Sequence, residues 1–364
     1  MKITKIGEPR VIMSNPMSRH NYFAWPTVCR LQNGKIAAVA SGFRLDHVCP
    51  FGKMVMSYSE DEGENFTLPA PVIDTVLDDR DGGIATFGDS GVIVTSFNNT
   101  VAFQRNYAEM YTKSAYTFAY LNTVTAEEEA SAIGATYRVS YDCGVTFGAL
   151  QKSPVTSPHG PMECSNGKII WVGRIFDPEK RKCSDHEIEV YEMTVGGEMK
   201  KIGEIPPIEG LTSCEPHMVE AADGTLITHI RVQQGSGATG KLVFTVYQSE
   251  SHDGGYTWTK PHQLLSELGG SPSHILRTKD GILIATYGYR EVPYGIRMAV
   301  SLDNGVSWDI DHEIYVNGVS YDLGYPSTVE LRDGSFLTVF YAHRSKEEPA
   351  VIMQQKWRFE NDEI

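Results

Sequence analysis

Ser251-His-Asp253-Gly-Gly255-Tyr-Thr257-Trp258 is one of four copies of a single pattern in this chain. The others are Ser59-Glu-Asp61-Glu-Gly63-Glu-Asn65-Phe66, Ser140-Tyr-Asp142-Cys-Gly144-Val-Thr146-Phe147 and Ser301-Leu-Asp303-Asn-Gly305-Val-Ser307-Trp308. Written S-x-D-x-G-x-[TSN]-[WF], the pattern describes a turn with its own chemistry. The Asp side chain can bond turn N–H groups, Gly permits the tight bend, and the aromatic buries itself between strands. These aspartates therefore read as structural rather than catalytic.

A second repeat lies between the copies. A small residue or Pro is followed by an apolar alternation, a tight Gly turn and another alternation. Its turn glycines are 34, 91, 167, 224, 281 and 334, spaced by 57, 76, 57, 57 and 53 residues. Asn-Gly and Asp-Gly between alternating runs are strong hairpin signals, because Gly accepts positive φ without steric cost. Six hairpins at this spacing predict an all-β chain, a six-bladed β-propeller of four-stranded antiparallel blades. The C-terminal copy is one strand short. Residues 351–359 supply a strand there, and residues 10–13 are expected to supply the last, closing the ring. The whole chain, 1–364, is read as a single propeller domain.

The remaining composition fits a folded protein. Of 364 residues, 41% are hydrophobic and 21% charged, and the net charge is −14. That charge argues against a nucleic-acid partner, which needs a basic face. No apolar run approaches the ~18 residues of a membrane span. The N-terminus carries no apolar signal segment, so the expected location is cytoplasmic. Cys29, Cys49, Cys143, Cys164, Cys183 and Cys214 show no metal-ligand spacing and are expected to be free thiols. No metal, no cofactor and no membrane partner is expected.

Strand direction sorts the surfaces. With strands A to D counted from the axis outward, the Gly turns join A to B and the S-x-D turns join C to D, all on one face. The opposite face gathers the A-starts, the B-ends and the C-starts, the natural place for a concave site. The A-starts offer Trp25, Asp79-Arg80-Asp81, His159, Glu215 with His217, His274 and Tyr325. The B-ends offer Arg44-Leu-Asp46-His47, Arg174, His229 with Arg231, Tyr289-Arg290 and His343-Arg344, and a C-start offers Arg297. So many arginines at one end of an acidic protein point to an anionic ligand. An insertion at about 103–137, some 24 residues longer than its counterpart in the first blade, falls on the same face. It reads equally as a lid, a dimer contact or a satellite helix, and self-association is left open.

At these residues the chain resembles the sialidase (neuraminidase) superfamily, whose Asp-box (BNR) repeat is the S-x-D turn. The segment from Cys214-Glu215-Pro216 to Arg231 resembles the one carrying the catalytic Glu and second triad arginine. Arg297 resembles the third arginine, Gly324-Tyr325-Pro326-Ser327 the segment of the nucleophilic Tyr, and Ser41-Gly-Phe-Arg44-Leu-Asp46 the region of the acid/base Asp. The family's first arginine is missing, since Ala24 or Trp25 stands in its place. Either Arg19, Arg44 or Arg80 supplies the charge or the substrate is not an ordinary sialoside, and Trp25 reads either as a platform for a sugar face or as core.

The resemblance implies an exo-glycosidase for a terminal anionic sugar, sialic acid or a related acid, on a small glycoside or oligosaccharide. Tyr325 is its expected nucleophile, Glu215 the base, and Asp46 the acid/base. Expected substrate contacts are Arg231, Arg297, Arg44, Arg80, Trp25, His47, His217 and Arg290. A neutral Tyr avoids the repulsion that a carboxylate nucleophile meets beside a substrate carboxylate. Two alternatives stay open: a propeller-fold uronate lyase working through His and Tyr, and a non-catalytic glycan-binding propeller.

Overall fold

The computed structural model describes residues 2–234, 243–264 and 270–360. Six antiparallel sheets stand in a ring. The first blade is Tyr22–Arg30, Ile36–Arg44, Lys53–Ser59 and Ala70–Ile73. The second is Ile84–Phe87, Gly91–Asn98, Gly134–Ser140 and Gln151–Lys152. In the third, the A strand is broken into Val155–Thr156 and Met162–Glu163, both paired with Ile169–Asp177. Lys182–Met193 and Met199–Ile205 follow. The fourth is Thr212–Glu220, Leu226–Gln234, Val243–Ser251 and His262–Gln263. The fifth is Gly270–Arg277, Leu283–Tyr289, Tyr294–Ser301 and Asp309–Gly318. The sixth takes Gly324–Glu330, Phe336–His343 and Ala350–Phe359 from the end of the chain and Ile3–Met13 from its start. This is the all-β six-bladed propeller that the repeats predict, and the ring closes on the N-terminal strand. That strand is longer than residues 10–13, pairing from Ile3 with Phe359 to Met13 with Ile352.

The alternation of each strand fills the seams between blades. Ile36, Ala38 and Val55 of the first blade pack against Leu337, Val339 and Ile352 of the sixth, all buried. All six cysteines are free thiols. Among the described residues no helix is long and apolar enough to cross a membrane, and no cluster of His, Cys, Asp and Glu is arranged to hold a metal ion.

The S-x-D turns behave as their chemistry demands. In the fourth blade, Asp253 Oδ1 accepts the N–H of Thr257 at 2.9 Å and Ser251 Oγ accepts that of Gly255 at 2.9 Å. The same bonds recur at Asp61, Asp142 and Asp303. The turns also fasten one blade to the blade before it. Gly305 O accepts Gln248 Nε2 at 2.8 Å, and Gly63 O accepts Gln354 Nε2 at 2.7 Å. Gly305 has φ +83, and a Cβ there would lie 2.5 Å from Ile227 Cδ1. Gly305→Ala is therefore expected to destabilise the protein by about 2 kcal/mol, from strain and the clash together. A urea melt unchanged by the substitution would refute this.

Between the second blade's B and C strands the chain makes three short helices: α1 (Val101–Tyr107), α2 (Ala115–Leu121) and α3 (Ala126–Ala132). Each starts at a Thr or Ser cap, and Thr125 with Glu128 forms a full capping box. They lean on the first blade. Phe51 stacks on Tyr116 at 4.7 Å, Tyr120 lies 4.8 Å from Phe51, and Arg19 sits 4.0 Å over the Tyr116 ring.

Candidate active site

Among the described residues, five blades carry a non-glycine residue in the left-handed region within or next to the first half of the A strand: Trp25 (φ 55), Asp81 (φ 50), His159 (φ 76), Glu215 (φ 50) and Tyr325 (φ 46). Each is followed by Pro or Gly. The A–B register slips there, between Ala24 and Thr27, Cys214 and His217, and Gly324 and Ser327. Such bulges re-aim a side chain, and strain of this kind persists only where the surrounding fold holds it. Here they bring Glu215 and Tyr325, from blades four and six, to one point.

Tyr325 Oη donates to Glu215 Oε1 at 2.6 Å. Arg231 Nη1 donates to Glu215 Oε2 at 2.7 Å and to Tyr325 Oη at 3.1 Å, while its Nη2 donates to Gln233 Oε1 at 2.9 Å. Arg290 closes the other side. Its Cζ is 5.8 Å from the Tyr325 ring, its Nη2 donates to Tyr341 Oη at 3.3 Å, and its Nε donates to Leu323 O at 3.0 Å. Burial, then the Glu215 charge, lift the Tyr325 phenol well above its ordinary value, against the pull of Arg231. Burial also pushes Glu215 upward. The Arg231 charge and the hydrogen bonds from Tyr325 and Arg231 outweigh it and hold Glu215 below the usual range. The resting state is a neutral phenol on an ionised carboxylate, the arrangement of a nucleophile held by its base.

Trp25 is 1% exposed and cannot meet a sugar face, which corrects the stacking expectation. It is instead the floor of a cup formed by Tyr325, Glu215, Arg231, Arg290 and His47, with its ring 6.3 Å from that of Tyr325 and the Arg80 and Arg44 guanidiniums 4.2 Å and 4.7 Å from it. Arg80 remains at the cup. Its Nε is 3.3 Å from Asp81 Oδ2, and the Tyr325 and Tyr22 phenols are among the groups acting on it. Burial and the Glu215 charge raise the Asp81 carboxyl against the pull of Arg80. Of the three arginines considered for the missing first position, Arg80 is the one beside Asp81 and within reach of the Tyr325 and Tyr22 phenols.

Three other expected contacts lie elsewhere. Arg44 is fully buried, 2.5 Å from Asp78 Oδ1, and donates to Ser41 Oγ at 2.7 Å and His47 O at 2.7 Å. It braces the loop beneath the cup and cannot reach a ligand. Arg297 lies 3.5 Å over Tyr289, with Asp311 at 3.3 Å and Glu313 at 3.6 Å, on the outer part of blade five. Arg290 takes the place beside Tyr325 that the sequence resemblance gives to Arg297. His217 is 8% exposed and belongs to a stack below the cup floor. Its ring is 4.6 Å from His274 and 5.2 Å from His159, and these two are 5.0 Å apart. His217 Nδ1 accepts the N–H of Ile275 at 3.0 Å. Below the stack, on the opposite face, opens a cavity of about 760 Å³. Its charged rim is internally paired, as in Arg30 with Glu62 and Lys279 with Glu330.

Removing Arg44 leaves the buried Asp78 carboxylate with only the longer contact to Arg80, at 3.7 Å, to offset its charge. Arg44→Met is expected to lower stability by about 3–5 kcal/mol, and Arg44→Met with Asp78→Leu to recover most of it. Urea melts of the single and double variants measure this, and a double variant no better than the single would refute it.

Asp46 turns toward its own loop, where Oδ1 accepts the His47 N–H at 2.6 Å. Its charge is felt at Tyr107 of α1, whose phenol burial and that charge push up to about 12. The charges acting most on Tyr325 are those of Glu215, Arg231, Asp81 and Arg290. His47 is in the cup, edge-on to Trp25 at 5.0 Å. The structure also assembles a group that no repeat announces. Asp322 accepts from Tyr22 Oη at 2.9 Å, Tyr341 Oη at 3.0 Å and His343 Nε2 at 3.0 Å, and lies 3.5 Å from His47 Nδ1. The only sequence signal for Asp322 is its place in the loop three residues ahead of Tyr325.

A six-bladed ring closed by its first strand, with Asp-box turns on its outer hairpins, is a sialidase-like propeller. The chain belongs to the BNR repeat-like domain family, which matches residues 75–338. No curated protein matches the sequence. Among solved structures, a protein of unknown function from Dyadobacter fermentans superposes with TM-score 0.75 at 20% identity, covering 98% of this chain and 99% of its own. The NanB sialidase of Streptococcus pneumoniae gives TM-score 0.66 at 14% identity, covering 96% of this chain and 70% of the sialidase. The intramolecular trans-sialidase of Ruminococcus gnavus gives 0.63 at 15%, covering 94% and 96%. Identities this low speak for the fold alone.

Proposed function

We propose that the protein is a sialidase-like exo-glycosidase that removes a terminal anionic sugar from a small glycoside or oligosaccharide. The observation that carries this reading is the 2.6 Å bond from Tyr325 Oη to Glu215, shared with Arg231. In the first step the Tyr325 oxygen attacks the anomeric carbon and its proton passes to Glu215. The bond to the leaving oxygen breaks, and that oxygen takes a proton from an acid across the cup. Water then attacks the same carbon and gives a proton back to that acid, while the bond to Tyr325 breaks and Glu215 returns its proton to the phenol oxygen. Arg231, Arg290 and Arg80 would hold the substrate carboxylate and offset the charge developing on the phenol.

The test is release of aglycone from an aryl sialoside and an aryl uronoside of the same leaving group. Release from the sialoside supports the full reading. Release from the uronoside alone keeps the mechanism and changes the sugar. Formation of an ultraviolet-absorbing unsaturated uronate in place of a hydrolysis product would favour the lyase alternative, for which His47 beside Asp322 is the specific observation. Ligand binding with no turnover would favour a glycan-binding propeller.

A further inference from the structure

We propose that His47, positioned by Asp322, is the group that gives the proton to the leaving oxygen and later takes one from water. This rests on the glycosidase reading above and names the acid that reading leaves open.

The geometry is that of an imidazole backed by a carboxylate. His47 sits in the loop joining the first blade's B and C strands, at the cup wall. Its Nδ1 is 3.2 Å from Tyr22 Oη and 3.5 Å from Asp322 Oδ1. Among the described residues no partner takes Nε2. The His47 side chain is 39% exposed, against 21% for Asp322, 18% for Glu215 and 12% for Arg231. It is the open titratable group of a cup whose other members are tied down. An engaged Nδ1 fixes the ring and leaves Nε2 to exchange protons.

Asp322 is built to act on that ring. His343 Nδ1 faces Glu348 O at 2.7 Å, so its Nε2 carries a proton to Asp322 only when the ring is doubly protonated. Burial would raise the Asp322 carboxyl, but hydrogen bonds from His343, His47 and Tyr22 hold it well below the usual range. It is therefore an anion at working pH and orients the His47 ring. The groups facing His47 have both signs. Asp322, Asp81 and its neighbour Asp46 are acidic, and Arg80, Arg44 and His343 are basic; Tyr22 and Trp25 complete the wall. The carboxylates expected to compete are worse placed. Asp46 bonds its own loop, and Asp81 has one oxygen against Arg80 and the other enclosed.

In the first half of the cycle the His47 Nε2 proton moves to the leaving oxygen as its bond to the anomeric carbon breaks. In the second, neutral Nε2 takes a proton from water as the water oxygen bonds to that carbon. His47 ends protonated, as it began.

The experiment compares two glycosides of one anionic sugar, a nitrophenyl glycoside whose leaving group needs no proton and an alkyl glycoside whose leaving group does. His47→Ala is expected to keep kcat/KM for the nitrophenyl glycoside, which reports the first step, within about tenfold of wild type, while kcat falls because the second step has lost its base. It should lose roughly 10²- to 10⁴-fold on the alkyl glycoside, the range for a general acid. Free imidazole should restore part of the alkyl turnover, which a structural role for His47 would not allow. His47→Gln, which keeps the side-chain volume, guards against a folding defect in the alanine variant. Asp322→Asn, at a positioning residue, should shift the pH profile of alkyl turnover rather than abolish it. Alkyl hydrolysis unchanged in both His47 variants, or the leaving-group pattern appearing in Asp81→Asn or Asp46→Asn instead, overturns the proposal and leaves the Tyr325 mechanism standing. Wild-type protein inert on every anionic glycoside overturns the glycosidase reading and this proposal with it.

Discussion

Tyr325→Phe is expected to fold as the wild type does and to lose on the order of 10⁴-fold or more in turnover, the scale on which a covalent nucleophile is missed. The substitution removes one oxygen. That oxygen lies 2.6 Å from Glu215 and 3.1 Å from Arg231, and no other described hydroxyl touches both. The 2.7 Å pair of Arg231 with Glu215 survives, so no buried charge is stranded and stability should move by only about 1 kcal/mol. Glu215→Gln should behave differently. It leaves the phenol without its base and Arg231 without its counter-charge, so both turnover and stability should fall. Kinetics on the aryl substrate together with urea melts separate the two. A Tyr325→Phe enzyme within tenfold of wild type would dismiss Tyr325 as nucleophile, whatever the substrate.

A second large effect is a steep loss of stability in mild acid. His159, His217 and His274 form the buried stack beneath the cup. Burial, then the neighbouring rings, hold all three well below the ordinary 6.5. A base with a lowered folded pKa contributes its full stability above 6.5. Below that, the unfolded chain binds protons the folded chain refuses, so stability falls with pH. Each such proton is worth about 1.4 kcal/mol per pH unit, so three give a slope of up to about 4 kcal/mol per unit below roughly pH 6. His229, lowered to about 4 by burial, adds to the same slope. His343 does not counter it. Burial lowers its pKa but the bonds to Asp322 and Glu348 O raise it further, so its stabilisation is fully present below 6.5 and is lost as pH rises. Urea melts from about pH 7 to pH 5 should show the slope, and His217→Gln should flatten it by about one proton. A flat profile would mean that the stack accepts protons while folded.

The repeats made the ring legible because each is a local device. A glycine at positive φ and an Asp that bonds its own turn need no distant partner, so they leave a periodic trace. The bulge residues Trp25, Asp81, His159, Glu215 and Tyr325 are marked by the Pro or Gly that follows them. Their meeting at the axis follows from the ring. What the sequence withheld is which arginines face inward. Arg290 follows one strand of the fifth blade and Arg297 lies in the next, and Asp311 and Glu313 stand on the side that draws Arg297 away. Arg44 lies two residues from Asp46, yet Asp78, far along the chain, takes it into the interior. The partners of Asp322 come from positions 22, 47, 341 and 343, and no spacing rule joins them.

The strand Ile3–Met13 finds its place only against Ala350–Phe359. During synthesis, Ile3–Met13 is thus made more than three hundred residues before the strand it pairs with. Until Ala350–Phe359 is made, the sixth sheet lacks its rim and the ring stands open. The nascent chain must carry an unpaired β segment all the while. That long exposure favours chaperone holding and makes the N-terminal strand a poor site for an insertion. Once closed, the seam joins strands from far apart in the sequence in one sheet, so that fraying of Ile3–Met13 opens the ring in the blade that carries Tyr325.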